Sequence, residues 1–327
     1  MKSNQKFPPP DIEPHELRQI VRVAKLYYDF DLTQNQIAER LGLSRVKIHR
    51  LLNTAKEVGV VKIKIDAEDS GFLDIENSLV KTFNLRDALV VPSQTNQEDL
   101  YLALGKGSSE WLIPKLKPGI RVGLGLGRTI SHLPKIFSPN QRVDCIFTEV
   151  VGGASDHSGG FSSYNVTSKM AELTGGRAEF FYAPTYVSSP ELKLELLKEP
   201  SIMRALENAR QCDIVMQSVG PVDETALLYQ HKFISKQDLD EFKQTGAVGD
   251  ALGHFFNQNG EELPAFTGAH MIGLDLADLK KISWSVCIAG GPEKTDVIHA
   301  ALRGGIFNVL ITDVHTAEEF ISKEGQK

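Results

Sequence analysis

The sequence predicts a mostly α, winged helix-turn-helix head followed by a larger α/β body built on a parallel sheet. Three observations carry this. The stretch Thr33–Leu52 (TQNQIAERLGLSRVKIHRLL) combines helix caps, a turn glycine and the buried periodicity of two short helices around a tight turn. From about Asp87, short β-branched runs alternate with helical patterns, the texture of a sheet covered on both faces. Charge is also unevenly spread. Residues 14–66 hold ten Lys and Arg against six Asp and Glu, whereas the whole chain is −6, which leaves −10 on residues 67–327. A small basic head on an acidic body suits a DNA-binding module joined to a part that does not touch DNA.

Along the chain, the Pro8-Pro9-Pro10 run marks residues 1–14 as a flexible arm, and residues 15–66 form the head. A first helix from Glu16 places Leu17, Ile20, Val23, Ala24 and Tyr27 on one face and stops near Asp29–Asp31. Thr33 caps a second helix, with Gln36 in capping-box position and Ile37, Ala38 and Leu41 inward. Gly42 stops it, Leu43 plugs the turn, and Ser44 caps a third helix whose stripe is Ile48, Leu51, Leu52, Ala55 and Val58. Val60–Ile65 alternates Lys62 and Lys64 with apolar residues, as a wing strand does. Residues 67–86 form a linker with an amphipathic helix over Leu73–Phe83, and the body runs from 87 to 327. Its Rossmann-like sheet takes strands at Ala88–Val91, Ile120–Leu124, Val143–Thr148, Ala178–Tyr182, Asp213–Val219, Ser283–Ala289 and Asn308–Thr312. Helical patterns between them include Glu98–Pro114, Asn165–Thr174 and Lys294–Arg303.

At 41% hydrophobic and 24% charged, the 327 residues exclude a disordered or collagenous chain. No run of 18 apolar residues predicts a membrane span, and Met1–Pro10 lacks the apolar core of a secretion signal, so a cytoplasmic protein is expected. Cys145, Cys212 and Cys287 stand singly in apolar settings, which reads as reduced core thiols rather than a metal or disulfide site.

Function is most legible in the head. Its third helix turns Arg45, Val46, Lys47, His49, Arg50 and Asn53 outward. Such a helix enters the major groove, where Arg45, Lys47 and His49 are placed to read base edges. Thr33, Gln34, Ser44 and Arg50 are placed for phosphates, and the partner is double-stranded operator DNA. One head makes few base contacts, so the body is expected to assemble the chain as a homodimer or homotetramer.

In a parallel sheet, ligands bind in loops that leave the carboxyl ends of strands. Four loops carry suitable chemistry. Val122–Thr129 offers Gly125, Gly127, Arg128 and Thr129 at the start of a helix, where backbone N–H groups favour an anion. Its glycines do not complete a dinucleotide fingerprint, because Arg128 stands where the third belongs, although Asp144 follows at about the right distance. The second loop holds Gly152 and Gly153, with Ser162 and Asn165 beyond, and the third runs from Gly246 to Asp250, whose carboxylate suits sugar hydroxyls. The fourth runs from Ala289 to Lys294, a lysine that opposes its helix dipole and so calls for an anionic partner. Together they predict a pocket for a sugar, polyol or sugar phosphate.

These residues give the chain a resemblance to the SorC family of sugar-responsive transcriptional regulators, from about residue 17 to 322. LTQNQIAERLGLSRVKIHRLL resembles the family's head, and GAVGDALGHFFNQNG, AGGPEKTDVIHAALRGG and NVLITDVHTA resemble body blocks in the family's order. The resemblance implies a body similar in fold to ribose-5-phosphate isomerase and glucosamine-6-phosphate deaminase, with no catalysis and no cofactor. It implies that Gly127, Arg128, Thr129 and Lys294 meet a phosphate and that Asp250 meets the sugar. Two departures stand out: Arg128 replaces a small residue, and Val151 stands where some members carry Arg. The competing enzyme reading, a sugar-phosphate isomerase or deaminase, makes Asp250 a general base with His254 one helical turn on. A third reading makes the head a protein-interaction module.

Overall fold

A computed structural model describes residues 12–62, 72–153, 162–264 and 269–324. The chain divides into two compact units, residues 1–70 and 71–327.

The described residues of the first unit form three helices, α1 (Pro14–Tyr28), α2 (Gln34–Leu41) and α3 (Arg45–Glu57). Pro14 opens α1 at a position where its missing N–H costs nothing. Thr33 and Gln36 form the expected capping box, the Thr33 N–H donating to Gln36 Oε1 at 2.9 Å and the Gln36 N–H to Thr33 Oγ1 at 3.3 Å. Gly42 ends α2 at φ 64°, with nothing within 4 Å of where a side chain would start. The glycine is there for its backbone angle and not for space. Ile20, Val23, Ala24, Leu26, Ile37, Ile48, Leu51, Leu52 and Ala55 form one buried cluster. Leu26 joins the α1 face that the spacing assigned to Tyr27, and Tyr27 is half-buried with its ring 4.9 Å edge-on to Tyr28. The expected arm lies outside the described residues as far as Asp11. The wing lies outside them from residue 63, and Val60–Lys62 form no strand.

The second unit begins with α4 (Leu73–Phe83), which belongs to the body's packing: Leu79 is fully buried, and Glu76 Oε1 accepts the Val90 N–H at 2.8 Å. Then follow β1 (Asp87–Val91), α5 (Gln97–Leu112), β2 (Arg121–Leu124), α6 (Arg128–Ile136), β3 (Ile146–Glu149), α7 (Ser163–Thr174) and β4 (Arg177–Glu179). The chain continues through α8 (Pro190–Leu196), α9 (Pro200–Arg210), β5 (Ile214–Gln217), β6 (Gly220–Pro221), α10 (Leu227–Gln230) and α11 (Lys236–Gln244). It closes with β7 (Ala247–Ala251), β8 (His254–Asn257), α12 (Leu276–Lys281), β9 (Trp284–Ile288), α13 (Thr295–Arg303), β10 (Val309–Asp313) and α14 (Val314–Glu324).

All seven expected strands pair into one sheet of order β1-β10-β9-β5-β2-β3-β4, parallel throughout. Alternation sorts the side chains. Val122, Phe147, Met216, Val286 and Ile311 join Leu104, Leu133 and Met170 of α5, α6 and α7 on one face. Val215, Cys287 and Leu310 join Ile202, Leu279, Ile298 and Phe320 of α9, α12, α13 and α14 on the other. Cys145, Cys212 and Cys287 are buried free thiols. The edges were misjudged at the sheet's far end. Residues 143–145 precede β3 without pairing, and β4 ends at Glu179 rather than Tyr182, which is exposed.

A second sheet has no counterpart in the sequence reading. β6, β7 and β8 form an antiparallel trio, and the third expected loop, Gly246–Asp250, is mostly strand β7. Its own small core includes Phe242 and Phe255, with rings 4.3 Å apart.

Candidate functional site

In the head, amphipathicity leaves one face of α3 unpacked. Arg45, Lys47, His49 and Arg50 are exposed beside Val46 at 78% exposure, while Ile48, Leu51 and Leu52 turn to the core. The Ser44 hydroxyl accepts the Lys47 N–H at 3.2 Å, holding the first turn that presents these side chains. Thr33 and Ser44 thus act as caps, and the Thr33 hydroxyl also donates to Gln36 Oε1 at 3.0 Å. Thr33, Gln34 and Arg45 line one shallow hollow with Tyr27 and Tyr28.

In the body, a cavity of about 290 Å³ opens where β2, β5 and β9 end. The loops leaving β2 and β9 diverge there toward opposite halves of the sheet, with β5 between them, and a crevice opens at such a switch point. Gly127, Arg128, Asp250 and Lys294 line it, from three of the four expected loops. Gly125 lies just behind the wall, where an added Cβ would collide with Gln217 Oε1. Thr129 is buried, and its hydroxyl has no partner.

Two cations share this cavity. Arg128 donates to the Thr225 carbonyl at 3.1 Å, and Lys294 Nζ to Ser218 Oγ at 3.4 Å, a long bond that leaves the ammonium underused. Burial holds the Lys294 ammonium below the usual lysine range, Tyr101, Cys287 and Glu293 oppose that shift, and the positive charge of Arg128 adds to it. Asp250, 9% exposed on β7, accepts the Gly253 N–H at 3.0 Å. Burial pushes its carboxyl up to about 6, against the pull of Gly253, His254 and Lys294.

Sequence reasoning missed several members. Gln97 of α5 donates to Glu293 Oε1 at 2.8 Å and to the Tyr101 hydroxyl at 3.2 Å, and all three line the cavity. Gln217 ends β5 with its Oε1 buried and unpartnered. Asp313 ends β10 and shapes the Gly290–Gly291 turn, accepting the Gly291 N–H at 2.8 Å, the Thr316 hydroxyl at 2.6 Å and the Ser93 hydroxyl at 3.0 Å. Burial alone would raise its carboxyl, but these bonds win and hold it below the ordinary range. Only the position of Asp313 directly after the expected strand Asn308–Thr312 hinted at this.

Three expected ligand residues stand elsewhere. Gly152 and Gly153 are absent from the lining, and their backbones bond to Ile272, Ala183 and Thr185. Glycine serves there because a side chain on Gly152 would strike Pro184. Asn165 sits in the first turn of α7, its N–H on Ser162 Oγ at 3.3 Å, in a separate shallow hollow. Val151 is buried against Gly273 and supplies nothing to the cavity. Asp144 is exposed near Arg177 and far from any dinucleotide role. His254 lies on strand β8, not on a helix, and its Nδ1 meets Glu262 Oε1 at 2.7 Å outside the lining. The one-helical-turn spacing that the enzyme reading gives to Asp250 and His254 is therefore absent, and the two stand instead on the paired strands β7 and β8.

Comparison with known proteins agrees with this architecture. Residues 68–322 match the family described as "Putative sugar-binding domain". The chain is 32% identical over 313 residues to the transcriptional regulator LsrR of Enterobacter sp. (strain 638), covering 94% of this chain and 93% of that one. It is 30% identical to the erythritol catabolism regulatory protein EryD of Brucella abortus, covering 94% and 97%. The crystal structure of the full-length sorbitol operon regulator SorC from Klebsiella pneumoniae superposes with a TM-score of 0.71 at 26% identity, covering 93% of this chain and 98% of that one.

Proposed function

Because the chain belongs to the SorC family of sugar-binding transcriptional regulators, we propose that it holds operator DNA with α3 and answers to a phosphorylated sugar or polyol in the cavity of its body. It works in the cytoplasm as a homodimer or homotetramer, so that two heads meet two half-sites about one helical turn apart. Arg45, Lys47 and His49 read bases. Thr33, Gln34, Ser44 and Arg50 hold phosphates, and Val46 adds an apolar contact of the kind that suits a thymine methyl.

One observation carries the choice of effector: Arg128 and Lys294 line the same small cavity with few anionic partners of their own. Two cations in one partly enclosed space repel, and a bound phosphate dianion relieves both. Arg128 thus supplies from the β2 loop the charge that the buried Val151 does not. Asp250 accepts hydroxyls of the sugar. Binding shifts the chain among states with different head spacing, which changes operator affinity.

Thermal-shift screening of sugar phosphates tests this directly. A ligand that binds only the folded state stabilises it by about 2.7 kcal/mol at a hundredfold excess over Kd. Lys294→Ala is expected to abolish the shift for phosphorylated ligands; an undiminished shift overturns the phosphate assignment.

A further inference from the structure

The cavity is two-natured, and one strained residue explains why. Its charged side comes from the loops after β2 and β9 and from Asp250, whereas Leu126, Val219, Leu228, Leu252 and Met271 make a continuous apolar wall. The polar groups present are already partly engaged: Arg128 with Thr225, Gln97 with Glu293, and Asp250 Oδ2 with Gly253. The acceptors that are left gather on the charged side of the cavity, and the side chains of the apolar wall offer none.

Leu252 makes this wall at a conformational cost. It and Gly253 are the two central residues of the β7–β8 hairpin, with Ala251 paired to His254 on either side. Their φ angles are 54° and 77°, the pattern of a turn normally filled by Asn-Gly or Gly-Gly. Leucine has no local hydrogen bond to compensate for left-handed backbone, so its presence calls for a tertiary reason. Its side chain is 2% exposed and lines the cavity beside Gly125.

We infer that the cavity selects a phosphorylated carbohydrate in which at least one carbon lacks a hydroxyl, a deoxy or C-methyl sugar phosphate, and that Leu252 is the residue which enforces this choice. The inference rests on the effector reading above and narrows it. A fully hydroxylated ligand strands an oxygen against Leu252 and Met271, and apolar pockets discriminate such pairs by about ten- to a hundredfold.

The test is calorimetric titration of the full-length protein with matched pairs. These are 2-deoxyribose 5-phosphate against ribose 5-phosphate, and 1-deoxyxylulose 5-phosphate against xylulose 5-phosphate, with fructose 6-phosphate and glucose 6-phosphate alongside. In at least one pair the deoxy member is expected to bind about tenfold tighter or better. Leu252→Asn, which suits the left-handed angle, is expected to shrink that ratio to about threefold or less while cooperative melting persists. Met271→Gln serves as the second variant should the first fail to melt cooperatively. Equal affinities, a preference for the hydroxylated members, or binding by the hexose phosphates alone overturns the inference and leaves the effector reading standing. Saturable binding by none of the six overturns both.

Discussion

The two units hold their candidate site cations in opposite ways. In the head, Arg45, Lys47 and Arg50 stand in water on one helix face. In the body, Lys294 sits in a cavity where burial lowers its proton affinity, and Asp250 sits nearby with its carboxyl pushed up to about 6. Exposed cations cost folding almost nothing and are free to release counterions from a polyanion. Enclosed ones cost stability and give back specificity toward a small ligand that neutralises them. The contrast teaches that stability and binding should separate in the head and trade against each other in the body.

The largest effect expected is on DNA. Replacing both Arg45 and Lys47 with Ala should weaken specific operator binding by about 2–6 kcal/mol, at about 1–3 per base-reading residue. Unfolding should stay within about 0.5 kcal/mol of the parent. Fluorescence anisotropy across a salt series checks the first and chemical denaturation the second; a large loss of stability would break the contrast. Next, Lys294→Met should cost sugar-phosphate affinity about 1.5–3 kcal/mol, the worth of a charged hydrogen bond, with stability held or raised. Calorimetry and melting on one preparation decide it.

Asp250→Asn probes the same trade through pH. The folded carboxyl titrates near 6 against an ordinary 3.8, so its protonated form favours the fold. That stabilisation is complete below about pH 4 and is lost as pH rises through about 6. The variant should therefore gain up to about 2–3 kcal/mol over the parent at pH 8, at 1.36 kcal/mol per pKa unit, and show a flatter profile between pH 4 and 6. Urea titrations at a series of pH values read this out. The smallest effect expected is Gly42→Ala, about 1 kcal/mol lost from the head, because only the backbone angle and not space resists it. A cost of several kcal/mol would mean that the turn is packed and sharpen the picture of the head.

Legibility followed the same division. Thr33, Gln36, Gly42, Ser44 and the Ile48–Leu52 stripe lie within 20 residues, and their partners are three or four positions away, so helix geometry alone relates them. Six of the seven sheet strands were legible because they are largely buried and read as apolar runs, whereas β4 at the sheet edge is exposed to half-buried. The short strands β6, β7 and β8 were not, since Gly220-Pro221 and Ala247-Val248-Gly249-Asp250 read as turn chemistry. Gly152 reads in sequence like a ligand-binding glycine, although its packing against Pro184 by itself requires a glycine there.

The sequence by itself determined the head's helices, its exposed basic face and the order of elements in the body, because these depend on neighbours a few residues apart. Tertiary structure alone decided which loops meet. Gln97, Arg128, Gln217, Asp250 and Lys294 come from five separate segments that converge only when β2, β5 and β9 lie side by side. It also decided that Leu252 points its side chain into the cavity from a left-handed turn, a choice that no local preference favours.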